Sequence, residues 1–151
     1  MIKKLADNEF ELNKFLLDQI KDEKIKQRIS QSLYWYIKKA IATKYLYYAL
    51  TIVTIVAPTI SAIVLNSTLP IDTGKLISTI VLGCSSVSAA LLPLFNYHKK
   101  WVIYRNQAED IKRLLAKELA KDSIDEKELL ASVEKSTLST DKKWTDEHKK
   151  E

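Results

Sequence analysis

Residues 45–65 read YLYYALTIVTIVAPTISAIVL, 21 residues without a charge. Residues 76–97 read LISTIVLGCSSVSAALLPLFNY, 22 more, also uncharged. Ten residues, NSTLPIDTGK, separate them. Twenty-one helical residues reach about 31 Å, close to the hydrocarbon thickness of a bilayer. Each stretch holds ten residues from Leu, Ile, Val and Phe. That favours insertion by about 3–6 kcal/mol per stretch, before Ser, Thr and Pro subtract from it. A small soluble bundle has little room for two helices apolar on every side. The pair predicts an all-α membrane protein. Its centre is a two-transmembrane helical hairpin whose long helices extend into the cytoplasm, with short extra helices at both ends.

The charges are segregated accordingly. Residues 1–44 hold 10 Lys+Arg and 6 Asp+Glu, and residues 98–151 hold 13 and 12. Between them stand only Asp72 and Lys75, both in the connecting loop. The net charge of +5 invites a nucleic-acid reading. However, the N-terminal bases are mixed with acids, which fits a juxtamembrane arm better than a groove tracking phosphates, so no nucleic acid is expected. Six segments follow: an N-terminal cytoplasmic arm (1–44), a first span (45–65), an outer loop (66–75), a second span (76–97), a C-terminal cytoplasmic arm (98–135) and a polar tail (136–151).

Orientation follows from the bases beside the spans. Lys38, Lys39 and Lys44 precede the first, and Lys99, Lys100 and Arg105 follow the second. The positive-inside bias puts both termini in the cytoplasm. Ile2-Lys3-Lys4-Leu5 resembles the basic start of a signal peptide, but Asp7, Glu9 and Glu11 stand where an apolar run is needed. Insertion then depends on the first span. Asn66-Ser67-Thr68 matches a glycosylation sequon, relevant only in a secretory eukaryotic cell.

In the N-terminal arm, Asn8 is a candidate N-cap with Glu9 and Glu11 in the first turn. Leu12, Phe15, Leu16 and Ile20 follow at helical spacing, and this helix should end near Asp22. A second pattern runs Ile25, Ile29, Ser32/Leu33, Tyr36/Ile37, Ala40 and predicts one long helix from about Asp22 to Leu65. Tyr45, Tyr47 and Tyr48 sit at headgroup level. Tyr34, Trp35 and Tyr36 lie further out, suited to packing against a neighbouring helix or to stacking on a ligand. After the second span, Trp101, Tyr104, Ala108, Ile111, Leu115 and Leu119 form a stripe that continues the same helix to about Lys121. It can pack on the N-terminal arm or on another subunit. Arg105–Glu109 and Glu109–Arg113 are i,i+4 pairs expected on its exposed side. Ser123 with Glu126 resembles a capping box for a short helix through Val133. Beyond Lys135 the tail should be loosely ordered, although Trp144 could dock.

The polar residues inside the spans fall on faces. Thr51, Thr54, Pro58 and Ser61 share one, and Thr79, Gly83, Ser86, Ala90 and Pro93 share another. Small residues let helices approach closely in lipid, and hydroxyls can bond across. These faces are candidates for helix packing or for lining a polar path in an oligomer. No acid or base lies within either span, which argues against a proton relay. A pore would be lined by hydroxyl and apolar groups and could gate by dewetting. Pro58 and Pro93 are candidate kinks.

Nothing in the chain assembles into a catalytic constellation, so no enzyme, cofactor or metal is expected. Gly74 and Gly83 are its two glycines, too few for a phosphate-cradling loop. The single cysteine, Cys84, excludes an intrachain disulfide and would be protonated and inert at mid-membrane. His98 and His148 are far apart, and His98 reads as an interface residue beside Lys99.

Two segments carry a resemblance. The first is Tyr34-Trp35-Tyr36-Ile37-Lys38-Lys39-Ala40, before the span that holds Pro58. The second is Trp101-Val102-Ile103-Tyr104-Arg105-Asn106-Gln107-Ala108-Glu109, after the hairpin. Together they resemble the SLATT domain, the two-transmembrane effector family of bacterial nucleotide-signalling and reverse-transcriptase conflict systems. The likeness spans about Arg28 to Ala120. It implies a multi-pass protein of the bacterial inner membrane that forms a pore or perturbs the bilayer in anti-phage defence. Such a role needs membrane lipid, a homo-oligomer and a trigger, either a nucleotide second messenger or a partner protein met by the arms. The competing expectation is a membrane anchor or scaffold that recruits a partner through those arms. A soluble helical adaptor is a third.

Overall fold

Glu23 to Leu65 form one helix of 43 residues. The Asp22 carboxylate starts it, accepting from the backbone N–H of Lys24 at 2.8 Å and of Ile25 at 3.3 Å, and no glycine interrupts it. The structure, a computed structural model, describes residues 1–66, 70–121 and 125–148, with side chains up to Thr140 and at Lys142. Among the described residues there are five helices and no strand: α1 (Ile2–Leu17), α2 (Glu23–Leu65), α3 (Ile71–Phe95), α4 (Tyr97–Leu119) and α5 (Glu126–His148). They divide into two units, Met1–Ala42 with Lys100–Glu151, and Thr43–Lys99.

The first unit packs four helical segments around an ordinary apolar core. Ile25, Ile29, Leu33, Tyr36 and Ile37 of α2 meet Ala108, Ile111 and Leu115 of α4, Ala6 and Leu17 of α1, and Leu129 and Val133 of α5. Buried residues recurring at three and four positions along each helix are what a bundle requires.

Four expectations change here. α1 begins at Ile2 rather than Asn8, because Ala6 is buried in the core and draws the preceding turn into the helix. It also ends earlier, at Leu17, and Leu12 and Phe15 face outward while Leu17 and Ile20 are buried. The second apolar stretch does not run on as one helix. α3 stops at Phe95, and Asn96 takes a left-handed φ of 46° before α4 starts. Asparagine tolerates that conformation better than other residues with a Cβ, and its N–H bonds the Pro93 carbonyl at 3.3 Å. Finally, α5 does not end near Lys135 but continues to His148. Ser123 of the expected capping box lies outside the described residues, as do Ser67 and Thr68 of the sequon and the Trp144 side chain. Asp125 caps α5 instead, accepting from the N–H groups of Lys127 and Glu128 at 3.1 Å each.

The second unit pairs the latter part of α2 with α3, antiparallel. Both α2 and α3 are long and apolar enough to cross a membrane. Their packing is inverted relative to the first unit. The buried residues are Ala57, Ser61, Gly74, Ser78, Ser85 and Ser88, whereas isoleucines and leucines face out, Ile55 at 67% exposure and Leu94 at 71%.

Candidate functional site

The inverted pair is built on a regular seam. On α2 the inward positions are Leu50, Thr54, Ala57, Ser61 and Val64, and on α3 they are Gly74, Ser78, Val81, Ser85 and Ser88. Both runs step by four and three, the spacing that keeps one face of a helix on its partner. Small side chains bring the backbones close enough for hydroxyls to reach carbonyls across the seam. The Ser78 hydroxyl donates to the Ser61 carbonyl at 3.1 Å, and Ser61 and Ser78 are hydrogen-bonded hydroxyl to hydroxyl, at 2% and 3% exposure. A Cβ on Gly74 would stand 3.6 Å from the Val64 carbonyl, an ordinary contact. Alanine therefore fits there.

Pro58 is accommodated within this seam. Proline has no N–H, so the carbonyl four residues earlier, that of Thr54, loses its helical donor. The Ser85 hydroxyl of α3 takes the vacant place, donating to the Thr54 carbonyl at 3.2 Å. The Thr54 hydroxyl turns to the Leu50 carbonyl at 2.9 Å. Thus α2 runs through Pro58 without a break. The interruption near Pro93 falls three residues later, at Asn96.

The sequence-chosen faces divide. Thr54 and Ser61 lie in the seam, and Thr51 is half-buried beside it, bonded to the Tyr47 carbonyl at 2.8 Å. Thr79, Gly83 and Ser86 are exposed on a neighbouring face of α3. The Thr79 and Ser86 hydroxyls return to their own helix, and a Cβ on Gly83 would meet nothing within 4 Å. α3 carries two small-residue stripes, about 100° apart in helical phase. Ser78, Ser85 and Ser88, on the stripe that packs, were missed. Their four-three spacing opposite Thr54, Ala57 and Ser61 is the signal that finds them.

The aromatic positions meet within the first unit. Trp35 stacks edge-on to Tyr36 and Tyr104, with ring centroids 4.9 and 5.7 Å apart, and the Lys39 ammonium lies 5.6 Å from the Trp35 centroid. Trp101 is half-buried. Tyr34 faces α1: it is edge-on to Phe10 at 5.6 Å, and its hydroxyl donates to Asp7 at 2.9 Å.

The expected Arg105–Glu109 pair forms, but half-buried rather than on the exposed side. Arg105 reaches Glu109 at 2.8 Å but also pairs with Glu9 of α1, and Lys112 bridges Glu9 at 3.0 Å and Glu109 at 3.2 Å. Arg113 pairs with Asp110 at 3.9 Å. Glu9, assigned to a helix start by its sequence, is the acid that docks α1 on α4. Nothing local announces that role, because its partners lie about a hundred residues away. Gln107 was also missed. It is buried, donates to Ser136 at 3.0 Å and accepts from Thr140. These bonds hold the polar part of α5 on the bundle, which is why the supposed tail is helical.

Burial alone would push the Glu9 carboxyl up, but Lys112 and Arg105 more than offset it and hold it below the ordinary value of 4.5. A depressed carboxylate stabilises the fold above its unfolded value and loses that contribution as pH falls through the folded one. Acidification from pH 4.5 downward should therefore loosen α1. Tryptic cleavage cannot follow this at low pH, but pepsin cleavage within α1 can, and Glu9→Gln should flatten its pH dependence. An unchanged profile in that variant would remove Glu9 from the docking role.

A family model described as a protein of unknown function, DUF4231, matches residues 31–117. No curated protein and no solved structure matches the chain.

Proposed function

We start from the family, DUF4231, to which the chain belongs, and propose that it is a non-enzymatic, homo-oligomeric membrane effector that opens a pore or perturbs the bilayer. The observation that carries this reading is the inverted second unit: serines and small residues inside, isoleucines and leucines outside. Such an exterior is costly in water and favourable in lipid. α2 and α3 then form the membrane hairpin. The bases at residues 38–44 and 99–105 favour cytoplasmic termini.

Two helices cannot enclose a water path, so copies must assemble. The exposed Thr79–Gly83–Ser86 face supports a second copy there, or a polar path between copies. Both SLATT-like segments, 34–40 and 101–109, fall inside the family match. They support a role in bacterial anti-phage defence at the inner membrane, triggered by a nucleotide signal or a partner.

Dye-loaded liposomes test this. Reconstituted protein should leak dye, and Gly83→Leu and Ser86→Leu should abolish leakage without reducing helix content, since both positions face open space. No leakage or conductance under any trigger would sink the pore reading. The second reading, an anchor that recruits a partner, rests on a groove of about 300 Å³ between α2 and α5. Arg28, Ile29, Leu130, Val133 and exposed Leu138 are among its lining residues. An anchor tolerates both leucine substitutions but should lose its partner on Leu138→Asp.

A further inference from the structure

From Lys24 to Ile71 the chain contains no acid, and from Thr73 to Ala108 again none, yet these segments hold ten Lys and Arg. Five of them, Lys38, Lys39, Lys44, Lys99 and Lys100, stand next to the apolar stretches, and all but half-buried Lys100 are exposed. Amphipathic rings accompany them: Trp35, Tyr45 and Tyr48 are 40–46% exposed.

We infer that these five lysines select anionic phospholipid headgroups, an inference that rests on the membrane reading. An anionic leaflet attracts juxtamembrane bases, and acids close by along the chain would cancel that attraction. No shared pocket is needed, because each ammonium acts on the phosphates of the leaflet it adjoins. Exposed tyrosine and tryptophan interleaved with lysine beside an apolar run suit the headgroup level. A strand of nucleic acid would instead need a continuous groove.

The test is electron spin resonance on the full chain in phosphatidylcholine bilayers, with trace spin-labelled phosphatidylglycerol or spin-labelled phosphatidylcholine as probe. The motionally restricted fraction should favour the anionic probe about fivefold, roughly 1 kcal/mol, the contribution of one well-placed lysine. The preference should vanish in 1 M salt and in the variant with all five lysines changed to Gln, and persist with all five changed to Arg. Equal restriction of both probes by the unmodified chain would overturn the inference. So would a Gln variant that keeps the preference, or its loss on adding a short oligonucleotide at low salt, which would assign the lysines to nucleic acid. If neither probe is restricted, the membrane reading itself fails.

Discussion

Ile111→Ala is expected to cost about 2–5 kcal/mol and to lower the thermal midpoint by about 6–15 °C. Ile111 is fully buried on α4, in the cluster that includes Ile29, Leu33 and Leu129. Removing its side-chain methyls loses their transfer energy and leaves a cavity that stiff neighbours cannot fill. Whole domains are stable by only about 5–15 kcal/mol, so the change is a large share of the total. Circular dichroism of the detergent-solubilised chain measures it. Ile111→Val should cost about 0.5–1.5 kcal/mol. A loss no larger than that of Arg113→Ala, an exposed position on the same helix, would mean that α4 does not pack through this face.

Ser61→Leu should have the next largest effect. Ser61 is 2% exposed and faces Ser78 across the seam, so a leucine must push the two backbones apart. Overpacking costs about 1–3 kcal/mol, and the lost cross-helix bonds add about 0.6–2 kcal/mol. Ser85→Ala removes only a hydroxyl and should cost no more than that second amount. Thermal unfolding in detergent and crosslinking between cysteines placed at 57 and 81, in a Cys84→Ala background, report the two outcomes. If Ser61→Leu is as mild as Ser86→Leu, α2 and α3 do not meet along the described seam.

The parts of this fold that depend on local periodicity were legible in the sequence. Ile25, Ile29, Leu33, Ile37 and Ala40 gave the inward line of α2, and the charge-free stretches gave two helices of membrane length. Contributions from distant partners were not legible. Ala6 extends α1 because it is buried by other helices, and Glu9 acquires its role from Arg105 and Lys112. Residues 136–148 look like a solvated tail until Gln107 offers Ser136 and Thr140 a buried partner. The choice between the two stripes of α3 was ambiguous for a related reason. Thr79, Gly83 and Ser86 are as small as Ser78, Ser85 and Ser88, and only the facing positions of α2 distinguish them.

The repair at Pro58 makes three positions on two helices mutually dependent. With proline at 58, the Thr54 carbonyl needs the Ser85 hydroxyl. With alanine at 58 it would recover its own helical donor, and Ser85 would become dispensable. Substitutions at 58 and 85 should therefore show non-additive costs, with Ser85→Ala neutral only in the Pro58→Ala background. A lineage could lose the serine without penalty only after losing the proline, so the order of substitution is constrained. The same bond also bears on how the two helices can slide: a shift of one turn that brings up Val81 would leave an orphaned carbonyl, whereas the opposite shift would present Ser88 in place of Ser85.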